Sequence, residues 1–150
     1  MTAKKGTFTR KKALAVVVLV GLLIAVLLLI RWGTHYGEDD LSTPEGRENF
    51  LNSLGWETES GSEECKTVHL PEKLDGMMAK YNELQLARGL DLNDHLGEEC
   101  EQYSFILTNY PDCGMTVYAT LYVQNGELIA GDIHTSSIDG FMTGLSAREE

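Results

Sequence analysis

Several residue patterns that usually carry chemistry are missing from this 150-residue chain. Its three cysteines, Cys65, Cys100 and Cys113, include no Cys-x-x-Cys pair, and their spacing matches no zinc site. The four histidines, His35, His69, His95 and His134, form no H-E-x-x-H pattern. No G-x-S-x-G, Walker or dinucleotide-type glycine motif occurs either. These gaps argue against the common metal, nucleotide and nucleophile-elbow enzymes, and no cofactor is expected.

Positive charge is scarce as well. Only 12 lysines and arginines stand against 23 acidic residues. Six of the basic residues lie at or before Arg31 and all the acidic ones beyond it, so residues 32–150 carry six positive and 23 negative charges, a net −17. A domain of that charge is repelled by nucleic acid and by anionic headgroups, so no nucleic-acid partner is expected.

One stretch lacks polarity altogether. Ala13–Ile30 is 18 residues without a polar side chain. At about 1.5 Å rise per residue such a helix reaches roughly 27 Å, the thickness of a bilayer's hydrocarbon core. Lys4, Lys5, Arg10, Lys11 and Lys12 precede it and only Arg31 follows closely, which places the N-terminus in the cytoplasm. The run is too long for a signal peptide's apolar region and is followed by Arg31-Trp32-Gly33, a poor cleavage sequence. The expected organisation is a basic cytoplasmic tail (1–12), a transmembrane helix (13–31) in contact with the lipid bilayer, a polar tether (32–42), an extracytoplasmic domain (43–145) and a polar tail (146–150).

Within the outer domain, Thr43-Pro44-Glu45 is a helix start: an N-cap hydroxyl, a proline at the first helical position and an acid against the dipole. Phe50, Leu51 and Leu54 supply the apolar stripe and Gly55 the stop. The following Glu57–Glu64 reads as a loop or an edge strand. A second helix is expected over Pro71–Arg88, where Leu74, Met77, Met78, Tyr81 and Leu84 recur on one face as core.

From Glu101 the period changes to two. Tyr103, Phe105 and Leu107 mark one strand, Met115–Val123 a second and Glu127–His134 a third. Asn125-Gly126 between the last two is a strong hairpin signal. With Val123 opposite Leu128, strict pairing sets Leu121 against Ala130, Ala119 against Asp132 and Val117 against His134. Val117, Ala119, Leu121, Val123, Leu128 and Ala130 then share one face, and Tyr118, Tyr122, Ile129 and Ile133 share the other. The fold class expected is α+β: one N-terminal transmembrane helix, then two helices and an antiparallel three-stranded meander, with the sheet covered by the helices on one side and partly covered on the other.

Two sets of residues are candidate sites. Tyr118, Tyr122, Ile129 and Ile133 form a face suited to an envelope protein or peptide partner. Asp132, His134 and Asp139 form a polar cluster that could hold a cation. The first fits a non-catalytic, membrane-anchored binding or envelope-associated module; the second fits the alternative, an exported cation-dependent hydrolase. Export permits a disulfide, with Cys100 and Cys113 the more local pair, but the connectivity stays open.

Five segments in order carry a resemblance. They are Phe50-Leu51-Asn52-Ser53-Leu54-Gly55-Trp56-Glu57; Tyr81-Asn82-Glu83-Leu84-Gln85 followed by Gly89-Leu90-Asp91-Leu92; Thr108-Asn109-Tyr110-Pro111; Gly131-Asp132-Ile133; and Asp139-Gly140-Phe141-Met142-Thr143-Gly144. Together they resemble domain of unknown function 4830, found in small exported or membrane-anchored proteins of Firmicutes, over roughly Phe50–Leu145. Where that family often has Gly-Gly-Asp-Ile-Cys, this chain has Ala130-Gly131-Asp132-Ile133-His134. The resemblance implies an envelope location and one compact domain, and no activity.

Overall fold

Thr43 caps the first helix as its chemistry requires: its hydroxyl accepts the Gly46 N–H at 3.0 Å, and Pro44 occupies the first helical position. The computed structural model describes residues 40–111, 114–137 and 139–148. Helix α1 (Pro44–Ser53) buries Phe50 and Leu51. Strand β1 (Glu64–His69) follows, then helix α2 (Gly76–Leu86) and a short 3-10 turn (Leu92–His95). Strands β2 (Glu99–Ile106), β3 (Val117–Gln124), β4 (Glu127–Thr135) and β5 (Met142–Gly144) complete the order.

The strands form one five-stranded sheet in the order β1-β2-β3-β4-β5, with each neighbouring pair antiparallel. The fold class read from the sequence is therefore corrected. The described fold is two α-helices and a five-stranded antiparallel sheet, not a three-stranded meander, and no transmembrane helix is part of it. Among the described residues no helix is long and apolar enough to cross a membrane. The expected membrane helix over 13–31, the basic tail and all of the tether before Asp40 lie outside the described residues.

The two missed strands have physical reasons. β1 is an edge strand whose residues are exposed apart from half-buried Val68, so it carries no alternating apolar signal. It is held by pairing with β2, Cys65 opposite Tyr103 and Val68 opposite Cys100. β5 has three residues and pairs only with Asp132–His134. Helix α2 is also shorter than its apolar pattern, because the chain enters it at Asp75 and Gly76 rather than at Pro71.

The helices cover opposite faces of the sheet, not one face as expected. On the α1 side, Phe50, Leu51 and Trp56 pack with Tyr103, Phe105, Val117, Ala119, Leu121 and Ile133. Arg47 belongs to this layer at 3% exposure. Its guanidinium is 3.6 Å from the Tyr103 ring centre, donates to Glu63 at 2.6 and 3.1 Å and donates to the Leu41 carbonyl at 2.8 Å. On the α2 side, Leu70, Leu92, Cys100, Ile129 and Ala130 form a smaller core, with Met78, Tyr81 and Tyr122 packed against it. Cys65 and Cys100 are both free. They lie three positions apart along adjacent strands, out of bonding reach. Cys113 lies outside the described residues.

The segment after Leu145 is more than a tail. Ser146 accepts the Trp56 indole N–H at 2.7 Å, and the Arg148 N–H reaches the Leu54 carbonyl at 2.8 Å.

The hairpin turn at Asn125-Gly126 has φ of 53° and 81°, with Gln124 opposite Glu127 and Val123 opposite Leu128. Beyond that pair the register shifts by one residue. Tyr122 faces Ala130, Leu121 faces Gly131, Thr120 faces Asp132 and Tyr118 faces His134. Strict alternation fails at this bulge, where β4 has one residue more than β3. Ile129 and Ala130 both join the α2-side core, and Ile133 crosses to the α1 side. Because the left-handed region costs a β-branched residue about 1–2 kcal/mol, Gly126→Val should destabilise the fold by at least that much. Urea unfolding followed by Trp56 fluorescence measures it, and an unchanged midpoint would contradict the turn.

Candidate functional site

The bulge determines what faces α2. Three rows run across that side of the sheet: Gln102, Tyr122 and Ala130; Ser104, Thr120, Asp132 and Gly144; and Ile106, Tyr118, His134 and Met142. Gly144 lies close under the helix. A Cβ there would sit 3.3 Å from the Leu84 carbonyl oxygen, tighter than an ordinary van der Waals contact.

Helix α2 is pinned to the sheet and to the following turn by polar side chains. Tyr81 and Gln85, one turn apart, both reach β4. The Tyr81 hydroxyl donates to Asp132 Oδ2 at 2.7 Å, and Gln85 Oε1 accepts the Gly131 N–H at 2.9 Å. Asn82 accepts the Leu92 N–H at 2.8 Å and donates to Asp91 at 2.9 Å. Asp91 in turn accepts the Asn93 N–H, and that bond, then those from Asn82 and Asn93 side chains, hold its carboxyl below the usual range. The Tyr-Asn-x-x-Gln segment is thus a set of structural ties.

Asp132 is 2% exposed and fully engaged. Its second oxygen, Oδ1, lies 2.7 Å from His134 Nδ1. A carboxylate offers only acceptors, so the proton is assigned to Nδ1 and Nε2 is left as the ring's other position. Tyr118 stacks on the imidazole with centres 5.6 Å apart. Tyr122 meets Tyr81 edge-on at 6.0 Å. Burial, then the Asp132 charge, raises the Tyr81 hydroxyl well above the usual phenol range. The same two causes push Tyr122 up to about 12. Tyr81 therefore remains a donor throughout the physiological range.

Above this polar floor lies a cleft of about 400 Å³. Met77, Met78, Lys80, Tyr81 and Leu84 line it from α2. Gln102, Thr120, Tyr122, Asp132 and His134 line it from the sheet, and Met142 closes it from β5. Met77 is 85% exposed and Met142 53% exposed, so two thioethers stand at the rim.

The two candidate residue sets fare unevenly. Tyr118 and Tyr122 share a face with Asp132 and His134; Ile129 packs on that side near Tyr122, while Ile133 lies on the other. Ile129 and Ile133 are buried in different cores, so the four do not form one surface. Asp132 and His134 meet. Asp139 is exposed in the β4–β5 turn and makes no bond to either among the described residues. No group of three metal-ligating side chains occurs among the described residues. Sequence reasoning missed Tyr81, Gln85 and the rim methionines: the apolar spacing assigned Met77 to the core, and nothing local links Tyr81 to Asp132, 51 residues away.

No family model, curated protein or solved structure matches the chain.

Two outcomes follow from the floor. Tyr81→Phe removes a hydrogen bond to a buried charged group and should cost about 1.5–3 kcal/mol in urea unfolding. Phenols raised in the folded state make stability complete below the unfolded value near 10 and lost as pH rises above it. Unfolding free energy should fall between about pH 10 and 12, and less steeply in Tyr122→Phe.

Proposed function

We propose that the chain is a membrane-tethered, extracytoplasmic binding module whose ligand site is the cleft between α2 and the sheet. The cleft carries the reading: apolar walls over a few convergent polar groups, in the size range of small-molecule sites. The apolar run Ala13–Ile30, with five basic residues before it and Arg31 after it, supports a membrane tether with the acidic domain outside. A cation-dependent hydrolase built on Asp132, His134 and Asp139 has less support. Both Asp132 oxygens are committed to Tyr81 and His134, and Asp139 stands apart. What His134 presents to the cleft suits recognition: a ring nitrogen held in place from behind by a buried acceptor.

Location is tested by the native thiols. Cys65 is exposed and Cys100 buried. In intact cells an impermeant maleimide should modify Cys65 and spare Cys100 until the protein is denatured, as read by mass spectrometry of peptides. Labelling of Cys65 only after lysis would reverse the topology. The cleft is tested separately by screening small molecules against the chain labelled with ¹³C at its methionine methyls. Ligands should move Met77, Met78 and Met142 together, and Met77→Trp at the exposed rim should weaken them. Ligands that move none of the three would remove the cleft as the site.

A further inference from the structure

We infer that the cleft takes a small single-chain carboxylate, its apolar tail among the methionines and its head between Lys80 and His134. This rests on the reading of the cleft as a ligand site and specifies what enters it. Three features of the walls carry it.

The first is the nature of the apolar side. Met77, Met78 and Met142 are unbranched thioethers, and Leu84 completes the wall. Methionine adapts to irregular and flexible shapes, so this wall suits a bendable chain better than a rigid ring.

The second is charge. Asp132 is the one carboxylate among the described lining residues, and it is buried with both oxygens taken. Residues 32–150 carry a net −17, so an anion approaching most of the surface meets free carboxylates. Lys80 lines the cleft from α2, and its ammonium is a group that only donates. A cationic head would find no free carboxylate among the described lining residues and a lysine beside it.

The third is His134. Its Nδ1 is held by Asp132, which leaves Nε2 as the ring position for a ligand. One proton shared between Nε2 and a carboxyl oxygen completes a hydrogen bond, whether the acid or the imidazole brings it. Tyr118 stacked on the ring keeps that nitrogen in one orientation. The volume of about 400 Å³ admits a short chain and excludes a folded partner.

The test uses the full chain in lipid nanodiscs, labelled with ¹³C at its methionine methyls and titrated with octanoate or octylamine, with empty discs correcting for partition. Octanoate should move the Met77, Met78 and Met142 signals saturably and bind about tenfold more tightly than octylamine. Lys80 is exposed, so Lys80→Glu leaves the fold intact, and it should invert the order of the two probes. Octylamine binding as tightly as octanoate, or an order that survives Lys80→Glu, overturns the carboxylate while leaving the cleft as a site. If neither probe moves those three methyls, the inference fails, and a full screen that also leaves them unmoved removes the cleft itself.

Discussion

One extra residue in β4 governs the arrangement of everything around it. At the bulge after the Val123–Leu128 pair, β4 advances by one position relative to β3. In a pleated strand that step exchanges the two faces for every residue beyond it. Asp132 and His134 come to lie beside Thr120 and Tyr118, under α2, while Ile133 enters the opposite core beside Ala119. Without the step, Asp132 would face Phe50 and Leu51, where a carboxylate has no partner and a burial cost of several kcal/mol. The bulge lets one strand supply an apolar residue to one layer and a polar floor to the other.

That floor also anchors the helix. Tyr81 and Gln85 tie α2 to β4 at consecutive turns, and Asn82 ties it to the 3-10 turn that follows. Each bond satisfies a group that burial would otherwise leave costly. Gln85 is 0% exposed, and its amide nitrogen finds no hydrogen-bond partner among the described residues. The Tyr81-Asn82-Glu83-Leu84-Gln85 segment is accounted for by these ties. The other motifs have similar roles. Phe50 and Leu51 fill the first core, Asn109 bonds Gly55 and Glu57, and Tyr110 stacks between Trp56 and Phe141 at 5.6 and 5.2 Å.

Charge reaches the interior of the domain only where it is compensated. Arg47 enters the α1 layer because Glu63, the Leu41 carbonyl and the Tyr103 ring together replace its hydration. Asp132 enters the α2 layer because Tyr81 and His134 do the same for a negative charge. The two buried charges sit on opposite faces of the sheet, each fixing one helix to a different part of the chain.

Sequence by itself determined what is settled within a few residues. The Thr43-Pro44 start of α1 and the Asn125-Gly126 turn with its first facing pair follow from caps and backbone conformations that need no distant partner. Strands β2 and β3 followed from alternation, because each buries every second residue in the α1-side core. The charge split between the first 31 residues and the rest is equally local. Only the tertiary structure decided β1 and β5, whose residues gain their place by pairing and not by burial. It also decided the bulge and which face each helix covers. Those depend on contacts such as Gln85 with Gly131 and Tyr81 with Asp132, 46 and 51 residues apart, which no local pattern records. The cleft belongs to the same class, since its walls come from α2, three strands and β5, and exist only once α2 is tied down.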